Sequence, residues 1–153
     1  MSDPQLHPAM YLCVSIGTGI DRVFTKSGTR IDYPILGGYF VGPGLDGEIL
    51  LGGVDYYLER EDGTGVLNAH YRLRCNDGAI IGVHNRGLLV LSEDGHLLAR
   101  DTWPIPESEY CCRCTPQFTT DNPRYQWLMQ HLFVGVVTYP SEHRVGIKCY
   151  RVD

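Results

Sequence analysis

The sequence predicts an all-β fold, either a closed antiparallel barrel or a sandwich, with one short helix. Three observations carry this. Asp-Gly recurs at 46–47, 62–63, 77–78 and 94–95, and that dipeptide supplies the positive-φ residues tight hairpins need. Segments rich in β-branched and aromatic residues lie between these turns. No linker, repeat or low-complexity tract interrupts the chain, so residues 1–153 are read as one domain.

Strands are expected over Met10 to Ile16, Tyr39 to Val41, Glu48 to Leu51, Val54 to Arg60, Val66 to Arg74, Ala79 to His84, Leu88 to Leu91, Leu132 to Thr138 and Val145 to Val152. Asn85-Arg86-Gly87 is read as a turn between two of them. The helix is expected at Pro123 to His131. Asp121 or Asn122 can cap it, Pro123 suits its first position, and Tyr125, Leu128, Met129 and Leu132 fall at helical spacing. That apolar stripe predicts a plug or brace for the β-structure.

Hydrophobic residues make up 43% and charged residues 20%, which suits a packed domain rather than a disordered one. The net charge of −5 argues against nucleic acid as a partner. The nearest approach to a basic cluster, His70, Arg72 and Arg74, alternates along one strand face. No apolar run is long enough for a membrane helix, and no Lys or Arg precedes Arg22, so no membrane partner is expected and a cytoplasmic location with reduced thiols is. Cysteines occur at 13, 75, 111, 112, 114 and 149. Cys111, Cys112 and Cys114 lack the second knuckle of a zinc site, and on a strand Cys112 and Cys114 share a face that Cys111 does not. No metal and no cofactor are expected, and the thiols are read as small core residues.

The run Gly37-Gly38-Tyr39-Phe40-Val41-Gly42-Pro43-Gly44-Leu45-Asp46-Gly47 resembles the signature of the DUF3237 family, also called UPF0311. Further blocks follow in order: Gly28-Thr29-Arg30; Gly52-Gly53-Val54-Asp55; Asp77 to Ile81 leading to Asn85-Arg86-Gly87; and Arg124 to Leu128 leading to Leu132 to Gly135. The resemblance spans about residue 10 to the end. It implies a single small antiparallel barrel of the calycin or allene oxide cyclase type, whose relatives include cofactor-free cyclases and isomerases. Met129 departs from the family, which more often has a polar residue there, as does Cys-Cys-Arg-Cys, where aromatics are more usual.

Small barrels leave room for one ligand. Arg30, behind an approachable turn at Gly28-Thr29, is the strongest cationic candidate, and Asp55 is its candidate acid–base partner. The rival reading is a structural ion pair between the two. Strand parity leaves Asp55 open, because Tyr56 and Leu58 make an equally good inner face; Tyr71 and Asn85 sit in apolar company and are expected inside. Tyr110, Arg113, Trp127 and His131 are further candidate ligand contacts, Trp127 fitting ordinary core packing as well. No nucleophile elbow, phosphate loop or metalloprotease motif occurs. Two functions follow: a cofactor-independent isomerase or cyclase acting on a small secondary-metabolite substrate, or a non-catalytic barrel of lipocalin type that binds one. The expected partner is a small-molecule substrate; a homodimer is compatible with the sequence.

Overall fold

A computed structural model describes residues 2–153. Its strands are β1 (Leu6–Ile16), β2 (Ile20–Thr25), β3 (Gly28–Gly42), β4 (Leu45–Ile49), β5 (Gly53–Arg60), β6 (Gly65–Cys75), β7 (Ile80–Leu91), β8 (Tyr110–Thr119), β9 (Leu132–Ser141) and β10 (Arg144–Val152). Each is antiparallel to its neighbours, and the order β1-β10-β9-β8-β7-β6-β5-β3 returns to β1 through the β1–β3 ladder. The sheet therefore closes on itself. Closure removes the unpaired edges an open sheet of this length would present.

The long β3 makes closure work. Its first half pairs with β5 and its second half with β1 and β4, so β4 and β5 together complete one staff of the barrel. On the other side, β2 prolongs the line of β1 and pairs with β3 alone. Every residue of β2 is exposed. It overhangs one end of the barrel instead of closing it.

Strict alternation of burial gives each strand its inner face. On β6, Leu67, Ala69, Tyr71, Leu73 and Cys75 are buried while His70, Arg72 and Arg74 face out, so the basic triplet is a solvated face, as its spacing implies. On β8, Cys112 and Cys114 are buried and Cys111 is exposed. Burial pushes the Cys112 thiol up to about 12 and the Cys114 thiol to about 11, which leaves both protonated and unreactive at neutral pH.

One end of the barrel is closed by the 3-10 helix Pro123–Met129. Asn122 caps it, accepting the Arg124 N–H at 3.0 Å. Tyr125 and Leu128 drop into the core, and the Tyr125 hydroxyl donates to Asp77 at 2.7 Å, on the β6–β7 turn. Half of the expected apolar stripe braces the barrel: Tyr125 and Leu128 are buried, whereas Met129 and Leu132 are exposed, and the helix ends at Met129 rather than His131, with Leu132 opening β9. Tyr125→Phe should remove that charge-assisted bond and lower stability, read as a fall in urea midpoint with unchanged slope.

Several local expectations need correction. Asn85-Arg86-Gly87 is no turn: β7 runs unbroken, with Asn85 opposite Ala69 on one side and Pro116 on the other. Ladders on both edges override the turn preference of Asn and Gly. Asp46-Gly47 lies within β4, and the reversal falls at 43–44. Asp94-Gly95 lies in α1 (Glu93–Ala99). There Ser92 accepts the Gly95 N–H at 3.0 Å and two acidic residues fill the first turn, a helix start that outcompetes a hairpin. Gly28-Thr29-Arg30 opens β3 and is not a turn. Met129 is 46% exposed at the plugged end, so the departure there does not reach the interior. Among the described residues no helix is long and apolar enough to cross a membrane.

Candidate active site

Opposite the plug, the barrel opens into a cavity of about 690 Å³. Its depth is set by strand ends: Ile31 and Tyr33 from β3, Asp55 and Tyr57 from β5, Leu89 from β7 and Tyr139 from β9 all line it. The β7–β8 connection, with α1 and Trp103, walls one side of the mouth.

Register settles the ambiguity at Asp55. Tyr33 faces Asp55 across the β3–β5 ladder, Ile31 faces Tyr57, and Asp32 faces Tyr56. Because Ile31 is buried, its whole cross-strand set turns inward, and Tyr56 and Leu58 take the outer face. Asp55 accepts one hydrogen bond, from the Asn68 N–H at 2.9 Å. Its pKa is raised to about 6, chiefly by burial, against the opposing pull of that N–H and with a further push from Asp32. The carboxylate is thus ionised but poorly solvated at neutral pH, which is the condition of a general base.

Around Asp55 stand phenols. Tyr57 meets Tyr33 edge-on with centroids 5.8 Å apart, and burial, then Glu59, holds the Tyr57 pKa well above the usual phenol range. Tyr139 is packed edge-on by Trp103 at 5.0 Å and by Tyr110 at 5.5 Å. Its pKa is also driven far up, first by burial and then by Cys112. Both hydroxyls stay protonated and can donate hydrogen bonds. Apolar walls and convergent polar groups of this kind are what small-molecule sites are made of.

The other expected residues divide by position. Tyr71 and Asn85 point inward, being 6% and 2% exposed. Asn85 Oδ1 is buried without a hydrogen-bond partner. In the inward row across β5, β6 and β7, Asp55 and Asn85 flank Ala69. Tyr110 stands behind the wall, its hydroxyl accepting the Tyr139 N–H at 3.0 Å, and so positions Tyr139.

Arg30 and Arg113 are corrections. Arg30 shares the outer face with Asp32, 3.9 Å away, and its side chain is 52% exposed; alternation along β3 directs it away from Asp55, so no Arg30–Asp55 pair forms. Arg113 is exposed on β8 and donates to the Cys112 carbonyl at 3.0 Å. Trp127 and His131 belong to the plugged end. Trp127 packs on Phe133 at 6.2 Å, and His131 Nδ1 donates to the Trp127 carbonyl at 2.8 Å, fastening the helix end.

Sequence reasoning did not single out Tyr33, Tyr57, Tyr139 or Trp103. Tyr139 was within reach: Phe133, Gly135, Val137 and Tyr139 alternate along β9, and the first three are buried. Trp103 lies in a connection, where no period assigns a face. No group of three or more His, Cys, Asp or Glu among the described residues is placed to hold a metal ion.

A model of the family described as "Protein of unknown function (DUF3237)" matches residues 4–152. A UPF0311 protein from Rhodopseudomonas palustris is 35% identical over 137 residues, covering 90% of this chain and 83% of that one. The crystal structure of the Rhodopseudomonas palustris conserved protein of unknown function superposes with a TM-score of 0.92 at 29% identity, covering both chains fully. A beta-barrel like protein from Acinetobacter baumannii superposes with a TM-score of 0.86 at 27% identity, covering 100% of this chain and 98% of that one. An enzyme from Penicillium herquei shares the fold at a TM-score of 0.72 and 19% identity, covering 100% of this chain and 97% of that one.

Proposed function

Because this chain belongs to the DUF3237 family of proteins of unknown function, its site must speak for its activity, and we propose that it is a cofactor-independent isomerase or cyclase. The substrate is a small organic molecule held in the cavity, and Asp55 is the catalytic base. One observation carries the reading: an inward carboxylate with a single backbone donor, its pKa lifted to about 6, among aromatic walls.

The chemistry follows from those groups. Asp55 removes a proton from a carbon next to a carbonyl, or from a hydroxyl, and becomes a neutral acid. In the first case the electron pair moves onto the carbonyl oxygen, where the Tyr57 or Tyr139 hydroxyl donates to the developing oxyanion. Asp55 then returns the proton at a different atom, which is an isomerisation. In the second case the alkoxide or phenoxide attacks an electrophilic carbon of the same molecule and Asp55 protonates the atom that takes up the charge, which is a ring closure. Nothing is gained or lost overall. Holding both reacting ends in one cavity supplies much of the acceleration for such a reaction.

A panel of aryl ketones and phenolic enones incubated with the protein in heavy water tests this, with proton NMR following loss of the exchangeable C–H signal. Exchange should climb with pH, half-maximal near 6 as Asp55 ionises, and Asp55→Asn should slow it by about 100-fold or more. Ligands that bind without exchange in the wild-type protein would favour the carrier of lipocalin type instead.

A further inference from the structure

The interior holds a base, but what the ligand carries into it is decided at the rim. Two arginines line the cavity, Arg22 and Arg100. Arg22 comes from β2, the strand that contributes nothing to barrel closure. The β2–β3 register slips between Ile20 and Val23, and Asp21, with φ 53°, is the one non-glycine residue among those described with positive φ. Bulges of this kind re-aim side chains beside active sites, and strained backbone is retained where it serves a site. Here the bulge places Arg22 on the cavity that Tyr33 and Asp55 line.

Neither Arg22 nor Arg100 has a carboxylate within salt-bridge distance among the described residues. Of the acidic residues on the same rim, Asp62 is already bonded to Arg60, and Glu59 and Glu61 are exposed. The interior repels anions, since Asp55 carries its charge there at a cost. An anionic group on the ligand therefore belongs at the mouth, and the uncharged part belongs inside against Tyr33, Tyr57 and Trp103.

We propose that Arg22 is the specificity-determining residue of this cavity, and that the ligand is an aromatic molecule bearing a carboxylate, ring inward and acid at the rim. This deepens the isomerase or cyclase reading and rests on it for the orientation of the reacting atoms. A guanidinium fork matches a carboxylate with two parallel hydrogen bonds, whereas an amide offers it one neutral acceptor. At an exposed rim the preference is modest, about fivefold, and falls with salt.

Calorimetric titration with 2-naphthylacetate and its neutral amide, 2-naphthylacetamide, decides it. The wild-type protein should favour the acid by about fivefold. Arg22→Gln should abolish that preference, weakening the acid more than the amide, and leave the melt unchanged, because Arg22 is an exposed residue on an edge strand. Equal binding of acid and amide by the wild-type protein, no binding of either, or an undiminished preference in Arg22→Gln would overturn the proposal. The Asp55 reading is decided separately: heavy-water exchange on neutral ketones needs no carboxylate and tests the base alone.

Discussion

Asp55→Asn should make the protein more stable at pH 8 and leave it unchanged at pH 3. The folded pKa of Asp55 is about 6 against an ordinary value of 3.8, a difference of about 2 units and so about 3 kcal/mol between the two protonation states. Below about pH 3 the folded and unfolded chains both hold the proton, and the site costs nothing. As pH rises through 4 to 6 the unfolded chain releases its proton while the folded chain still binds it, so stability falls with pH until the folded group also ionises. Above about pH 7 the full penalty is present. Asparagine is neutral at every pH and keeps an oxygen to accept the Asn68 N–H. The variant should therefore gain up to about 3 kcal/mol at pH 8, or about 6–12 °C in Tm for a chain of this size. Paired thermal melts at the two pH values check this. A gain of equal size at both would trace to packing, and a loss at pH 8 would mean that the carboxylate is well solvated. The same substitution should stop proton exchange, so this residue would trade stability for activity.

How far the site was legible follows from which residues obey a period. Parity put Asp55 with Tyr57 and Glu59 and put Tyr71 and Asn85 with apolar neighbours, and the structure keeps both groupings. Parity alone could not orient β5, because Tyr56 and Leu58 alternate with Asp55 and Tyr57 in an equally plausible way. The decision came from Ile31, which faces Tyr57 across a ladder that sequence does not announce. Arg30 was attractive for its glycine neighbour, yet Gly28 opens a strand, and that strand sends Arg30 out beside Asp32. Of the two arginines that do line the cavity, Arg22 sits after a bulge, where the period of two breaks and no count from the strand start would place it. Turn residues misled for a related reason. Asp-Gly and Asn-Arg-Gly report local preference, and at 46–47 and 85–87 two flanking ladders outweigh it. The two Asp-Gly pairs that do make hairpins, 62–63 and 77–78, connect strands with nothing on the far side of the turn to extend the ladder.

Gly38→Ala should prevent the barrel from closing, and it shows what the glycine-rich signature is for. Gly38 lies opposite Val14 in the β1–β3 ladder, the pairing that joins the two ends of the sheet. Its φ is +131°, and a Cβ there would sit 2.0 Å from the Cys13 carbonyl oxygen. Backbone cannot swing aside as a long side chain does. Either β1 moves away from β3 and breaks the ladder, or the residue leaves a conformation that only glycine adopts freely. Strain of 1–3 kcal/mol from the backbone and a similar amount from overpacking give an expected loss of about 3–5 kcal/mol. A marginally stable domain does not carry that comfortably. Gly44 is the control from the same stretch. It has φ +67° in the turn after β3, with nothing within 4 Å of where a Cβ would lie, so Gly44→Ala should cost only the left-handed penalty of about 1–2 kcal/mol. Urea unfolding of the two variants separates the effects. If Gly38→Ala unfolds at the same midpoint as Gly44→Ala, the β1–β3 contact has slack, and the signature must be explained by something other than closure of the barrel.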